Sequence, residues 1–415
     1  MQASMKDVFY HPLPTRALSA LFLCLSVALT ACNDKYPKAN MPDTPLEQPL
    51  EIIIEPKKVA MTKTWAAGIK DDGTLWTWGS GAGKIRSTTT GNHVDPTPMP
   101  VEGINDAVAI SGGISHMLLL RKDGTVWAWG FNYDGVVDPK AGTDIPVGEL
   151  RKVEGLEDIV DVSAGSHNSF FINKNGEVYA IGSNKQGSMN GINEPLTAPI
   201  KLANLKDIVA IYNEGGIVLA LDNKGEVYTT GSSVGSLGRE VIRSTNEEIH
   251  YYPAEKVTLP RKAVDIAVTG IGCMALLDNG EVWVWGNSSL AGLGLPKGQA
   301  PDLPIKHPYL NRIVNIGDRS AVDVDGNLYI WGEIGYGSYN APSTTIYRTP
   351  IKIAENMNNP ALLVNGNDAS GVLTKDGELY AWGWFSGMIG TGESRQGQAS
   401  RDDVLTVQKS LFTTH

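Results

Sequence analysis

The residues of this 415-residue chain that could do chemistry are few and scattered. The seven histidines (11, 93, 116, 167, 250, 307 and 415) show no metal-ligand spacing. Asp323-Val-Asp325-Gly326 opens like a calcium loop, where alternate carboxylates face one ion, but the third acidic position is missing. Gly231-Ser-Ser233-Val-Gly235 has the spacing of a nucleophile elbow. That device needs a helix after the serine, and the pattern here follows an apolar strand and leads into no helix. Gly79-Ser-Gly81-Ala-Gly83-Lys84 is as rich in glycine as a phosphate cradle, yet lacks the Ser or Thr after the lysine. The expectation is a protein with no catalytic residue, no metal and no cofactor. An enzyme, a hydrolase or lyase, stays open as the alternative, with residues from distant parts of the chain meeting at one face or in a central channel.

Cysteine chemistry points elsewhere. Cys24 lies in an uncharged, mostly apolar stretch, 17–31, behind Lys6 and Arg16, and Cys273 stands alone in an apolar strand pattern. A stretch of 15 residues is too short for an ordinary membrane-spanning helix and has the length of a signal-peptide core. It ends Leu29-Thr-Ala-Cys32, which resembles the lipobox of bacterial lipoproteins. The resemblance implies cleavage before Cys32 and lipidation of its thiol. Asn33 directly after it implies the outer rather than the inner membrane of a bacterial cell envelope. Residues 1–31 are thus expected as a signal peptide and 32–48, with three prolines, as a tether. The propeller described next is expected over 49–415.

Seven copies of Gly-x-[Leu/Val]-[Trp/Tyr]-x-x-Gly punctuate the rest, starting at Gly73, Gly124, Gly176, Gly225, Gly280, Gly326 and Gly377. Their spacings, 51, 52, 49, 55, 46 and 51 residues, give a period that fits one four-stranded blade. Asp or Asn precedes most of the first glycines, as in two-residue hairpin turns with positive φ at both central positions. Apolar residues fill both parities of the flanking strands, for example Met117-Leu-Leu-Leu120 and Val126-Trp-Ala-Trp129, so both faces are buried. Pro-led segments near 49–54, 100–104, 146–153, 199–203, 253–258, 304–310 and 350–353 supply outer strands, and Val404-Leu-Thr-Val407 makes an eighth. The fold expected is all-β, a seven-bladed propeller of four-stranded antiparallel blades closed by terminal strand pairing. Forty-six glycines, ten tryptophans and only 19% charged residues agree with a turn-rich β protein.

The best copy runs from Gly113-Ile-Ser-His116 through Asp123-Gly124-Thr-Val-Trp127-Ala-Trp129-Gly130-Phe-Asn132. It resembles the regulator of chromosome condensation repeat, over about residues 49–410. The family's fold is a seven-bladed propeller, matching the count of anchors. Its best-known eukaryotic member is a nuclear exchange factor for a small GTPase. That partner is not expected here, because the export signal leads away from the cytosol. Secreted bacterial proteins of the same fold bind and inhibit β-lactamase, which implies protein binding as the nearer analogy. A net charge of −10 argues against nucleic acid, whose phosphates need a basic face.

Repetition places the segment after each second anchor glycine on one face of the disc. Four of these segments carry aromatics that the strands do not need: Phe131 and Tyr133; Tyr251 and Tyr252; Tyr336 and Tyr339; Trp384 and Phe385. Equivalent positions elsewhere hold Ser80, Ser183, Ser232 and Asn287. Such aromatics are typical binding anchors, although they also cover blade ends. The functional expectation is a lipid-anchored, extracytoplasmic propeller, scaffold or inhibitor-like, that binds a protein or a glycan with this face, anchored by Trp384 with Phe385 and Tyr251 with Tyr252. A structural component of the envelope is the remaining alternative. The mature chain should begin at a lipidated Cys32 and partition into detergent, and Cys32→Ser should abolish both. An intact-mass spectrum with an unmodified Cys32 would refute the lipobox reading.

Overall fold

The computed structural model describes residues 38–415 except 40, 42–43, 45, 81–84, 86–93, 141–148, 184–188, 190–195, 215, 233, 242–250, 271, 288–291, 335–344, 358, 367–368, 385 and 394–400. Lys38–His415 is one compact unit. Cys32, Tyr336, Tyr339 and Phe385 lie outside the described residues.

Seven four-stranded antiparallel sheets form the blades of a propeller. In blade 2 the chain runs outward from the axis through Ala107–Gly112, His116–Arg121, Val126–Gly130 and Arg151–Lys152. The other six blades repeat this order. Both faces of each blade are covered by neighbours. Leu118 and Leu120 join the core shared with blade 3, while Met117 and Leu119 join the core shared with blade 1. This is the physical reason for apolar residues at both parities.

The hairpin turns differ from the expected two-residue type. Gly124 sits at φ 79° while Asp123 keeps an ordinary negative φ. The amide of Gly124 donates to Arg121 O at 2.9 Å, and that of Arg121 to Thr125 O at 3.0 Å. This is a type I turn closed by a glycine bulge. Asp123 is there for its carboxylate, which accepts from the amide and hydroxyl of Thr125 at 2.9 and 2.7 Å.

A second recurrent feature binds blade to blade. In blades 1, 5 and 6 the second Trp of the anchor is fully buried, and its indole N–H donates to a carbonyl in the loop of the preceding blade. Trp285 bonds Ser236 O at 3.0 Å, and Trp331 bonds Gly292 O at 2.8 Å. Trp78 of blade 1 bonds Met388 O of blade 7 at 2.7 Å, so the ring closes through the same contact. Gly390 follows at φ 76°, and a β-carbon there would lie 3.0 Å from the Trp78 indole nitrogen.

Every blade is contiguous in sequence. The C-terminal strand Gln408–Thr413 pairs with Glu378–Gly383 and completes blade 7, and the first and last blades exchange no strand. Two expectations about outer strands shift accordingly. Residues 49–54 form no strand, because Val94–Pro100 already completes blade 1. Residues 401–405 are a short helix, and the strand begins at Gln408. Phe412 stacks on Trp78 at 5.2 Å, and the amide of Asp71 donates to Thr414 O at 2.6 Å across the seam.

The described residues of 38–58 lie against the propeller. The amide of Ala39 donates to Pro350 O, that of Leu46 to Asn279 O and that of Leu50 to Asp278 O. Met41, Leu50 and Ile52 pack on the core between blades 5 and 6. Ala39, Met41 and Leu46, in the stretch read from its prolines as a tether, thus find seats on the disc.

Phe412→Ala should cost about 3–5 kcal/mol, as for other buried aromatics. Removing residues 402–415 should abolish the cooperative melt of the whole ring. An unchanged melting curve for the truncated chain would place the closure elsewhere.

Candidate binding face and channel

The inner strands surround a channel on the propeller axis. Six of them carry a register shift at their second residue, so that Val108, Val160, Val209, Val264, Val314 and Ala361 are extra residues in the ladder. A bulge of this kind re-aims the residues after it. The residues that follow in blades 3, 5 and 6 are Asp161, Asp265 and Asn315, and all three line the channel. Its cavity is about 250 Å³.

The lining is acidic. Glu55, Asp161, Glu214, Asp265 and Asp318 face it, with Lys57 the one cation among the described lining residues. Lys57 donates to Asp161 Oδ2 at 2.7 Å and to Val162 O at 2.9 Å. Burial pushes the Asp265 carboxyl up to about 7, against the pull of backbone amides from Ile266 and Ile316 and of Lys57. Burial also pushes up the Tyr212 phenol. At the other end, burial first and Asp318 second raise Glu214 to about 7, although the amide of Gly270 donates to its carboxylate at 3.0 Å. Arg319 grips Asp318 with two bonds of 3.1 Å, and Asp318 in turn holds that guanidinium firmly protonated.

Strand alternation gives the disc two unlike faces. One holds the tight hairpins; the other holds the inner turns and the long loops after each second anchor glycine. On this loop face Phe131 and Tyr133 are 41% and 45% exposed, which makes them the most open of the described aromatic candidates. Their rings stack at 5.6 Å with 13° between planes, and Tyr133 leans on His167 of blade 3 at 5.7 Å. His167 in turn lies 3.6 Å from the Asp134 carboxylate. Asn132 fixes the loop from below, accepting from the amides of Val137 and Asp138 and donating to Asp138 O. The stacked pair therefore stands on a rigid, buried support. Tyr251 and Trp384 are half-buried. Tyr252 opens the outer strand Tyr252–Lys256 and packs on the core between blades 4 and 5, so its ring serves the blade.

Two of the histidines are buried in the framework. His116 Nε2 meets Ser169 Oγ at 3.0 Å, and burial lowers its imidazole to about 3. His307 Nδ1 accepts from the amides of Tyr309 and Leu310, and burial lowers it to about 4. Cys273 is buried, with its thiol pushed up by loss of solvent. Asp323 accepts from the amides of Asp325 and Asn327, which makes the calcium-like sequence a turn. Among the described residues no group of His, Cys, Asp and Glu could hold a metal ion, and no helix is long and apolar enough to cross a membrane.

Residues 107–136 and 159–188 match the model of the regulator of chromosome condensation (RCC1) repeat. These two stretches, in blades 2 and 3, are similar to this repeat. The human E3 ubiquitin-protein ligase HERC2 is 24% identical over 356 residues, which cover 81% of the chain and 7% of the ligase. The regulator of chromosome condensation of Xenopus laevis is 25% identical over 326 residues, 71% of the chain and 76% of that protein. Among solved structures, Prp20p of Saccharomyces cerevisiae superposes with a TM-score of 0.61 at 20% identity, covering 82% of the chain and 86% of Prp20p. That likeness shows the fold, a propeller. The chain spans only 7% of the length of the ligase, whose whole activity belongs to a far larger protein.

The channel acids were not among the expected site residues. Asp161 and Asp265 sit in stretches that read as apolar inner strands, and the one signal was the carboxylate itself inside an Ile/Val run. Between about 4, where an unfolded Asp titrates, and about 7, the folded chain keeps a proton on Asp265 that the unfolded chain gives up. This residue's contribution to stability therefore falls as pH rises through that window. Asp265→Asn should raise the melting temperature relative to wild type at pH 8 and lose that advantage at pH 4.5. A pH-independent difference would contradict the buried carboxyl.

Proposed function

We propose that the chain is an extracytoplasmic, lipid-anchored binding propeller that takes a protein partner on its loop face. The observation that carries this reading is the stacked Phe131–Tyr133 pair, held open to solvent over His167 and Asp134 by the Asn132 bonds. Ordering two large aromatics in advance lowers the entropy cost of binding, and flanking polar groups give such a patch direction. Trp384 and Tyr251 widen the same face on blades 7 and 4. A membrane address follows from Leu29-Thr-Ala-Cys32. Asn33 directly after it favours the outer membrane of a bacterial envelope, which would leave a small GTPase out of reach. Prp20p is described by its binding to Gsp1p and histones. On the far side of a membrane neither partner would be at hand, although a basic protein would suit the chain's net charge of −10.

Wild type and a Phe131→Ala/Tyr133→Ala double variant should be compared by affinity capture from detergent-solubilised membranes. The variant should melt within a few degrees of wild type and capture its partner at least tenfold less, about 1.4 kcal/mol. Capture at full strength would move the site away from this pair. Capture of polysaccharide in place of protein would change the ligand class.

A further inference from the structure

We propose that the end of the channel nearest the hairpin turns is a primary-ammonium site, filled by the chain's own Lys57, and that this contact keys residues 46–58 into the ring as a strap. The argument begins with what surrounds the amine. Its nitrogen lies 2.7 Å from Asp161 Oδ2, 2.9 Å from Val162 O and 5.5 Å from the centre of the Tyr212 ring. Carboxylate, carbonyl and aromatic face together are what a compact ammonium with three donors calls for. The side chains of Lys57 and Asp161 are only 13% and 10% exposed, so this pair is largely withdrawn from water. Surface ion pairs contribute little, whereas removing one partner of a desolvated pair strands the other charge. Asp265 from blade 5 is a second carboxylate that feels the same amine.

The amine arrives on a segment that touches the disc at separate points. Leu46 and Leu50 rest on the hairpin turn of blade 5, Glu55 lies 3.7 Å from Lys375 of blade 7, and Lys57 O accepts from the amide of Ile110 in blade 2. Between these points a crevice of about 530 Å³ separates residues 50–55 from blades 5 to 7. A segment seated at discrete points over a crevice is held by those points, and Lys57 is the one bonded to Asp161 and Val162 inside the channel. The strap thus links blades 5, 7, 3 and 2, which no strand exchange joins.

The site assignment and the loop-face reading are independent. Lys57→Ala should empty the ammonium site while leaving its walls. n-Propylammonium chloride at tens of millimolar should then raise the melting temperature of this variant by several degrees. Tetramethylammonium chloride and sodium chloride at equal ionic strength should not, and neither should n-propylammonium with wild type or with Lys57→Ala/Asp161→Asn. Equal effects of the three salts on Lys57→Ala would overturn the proposal. Lys57→Met, which keeps the apolar stem, tests the strap should the alanine variant fail to fold. Trypsin should cut after Lys58 at least tenfold faster in Lys57→Met and in Asp161→Asn than in wild type. Unchanged protection in both would also overturn it.

Discussion

Three of the blade junctions depend on an indole that reaches out of its own blade. Trp285, Trp331 and Trp78 each give an N–H to a carbonyl in the loop of the blade before, and each is wholly enclosed by the surfaces that this contact brings together. A buried indole without an acceptor would cost about 1–3 kcal/mol, more than the bond itself contributes, which favours placing blade and loop together. The inner strands acquire their spacing from this packing, and the channel acquires its width from the inner strands. Loop positions follow as well: the carbonyls of Ser236, Gly292 and Met388 are pinned. The seam between blades 7 and 1 uses the same bond as the junctions within the chain, with Phe412 stacked on Trp78 as reinforcement.

Much of this was legible from the residues. Seven anchors at a near-constant period gave the blade count, and apolar residues at both parities indicated blades covered on both sides. Where the reading failed, the reason is local. Asp123 looked like a residue for positive φ, but its carboxylate caps the turn while Gly124 alone takes the left-handed conformation. The segment 49–54 has the composition of an outer strand, yet Val94–Pro100 had already taken that edge. Which of two similar segments pairs with an edge depends on chain geometry that local composition does not record.

The candidate site was less legible than the fold. Phe131 and Tyr133 were recognisable as loop aromatics because every strand was accounted for without them. Tyr252 looked equivalent but belongs to a strand, a difference of one residue in where the loop ends. The channel carboxylates were hidden more deeply. A bulge after Ile159 and after Ala263 shifts the ladder by one residue, and alternation counted from the sequence then assigns Asp161 and Asp265 to the wrong face.

Because each blade is made from one uninterrupted stretch of chain, its sheet is complete once its own fifty or so residues exist. A propeller that borrows a strand from its far end must keep one blade unfinished until synthesis stops, with an open edge ready to pair wrongly. Here the contacts within every sheet are short in sequence, and the seam between blades 7 and 1, with Trp78 against Met388 and Phe412 and Asp71 against Thr414, joins the two ends of the chain. Short-range contacts form early and at low entropic cost. The molecule is therefore suited to assembly in the order of its sequence, blade upon blade, with ring closure as the single late event. The same economy makes the starting point arbitrary: a chain cut between any two blades and rejoined at the seam would still own seven intact sheets.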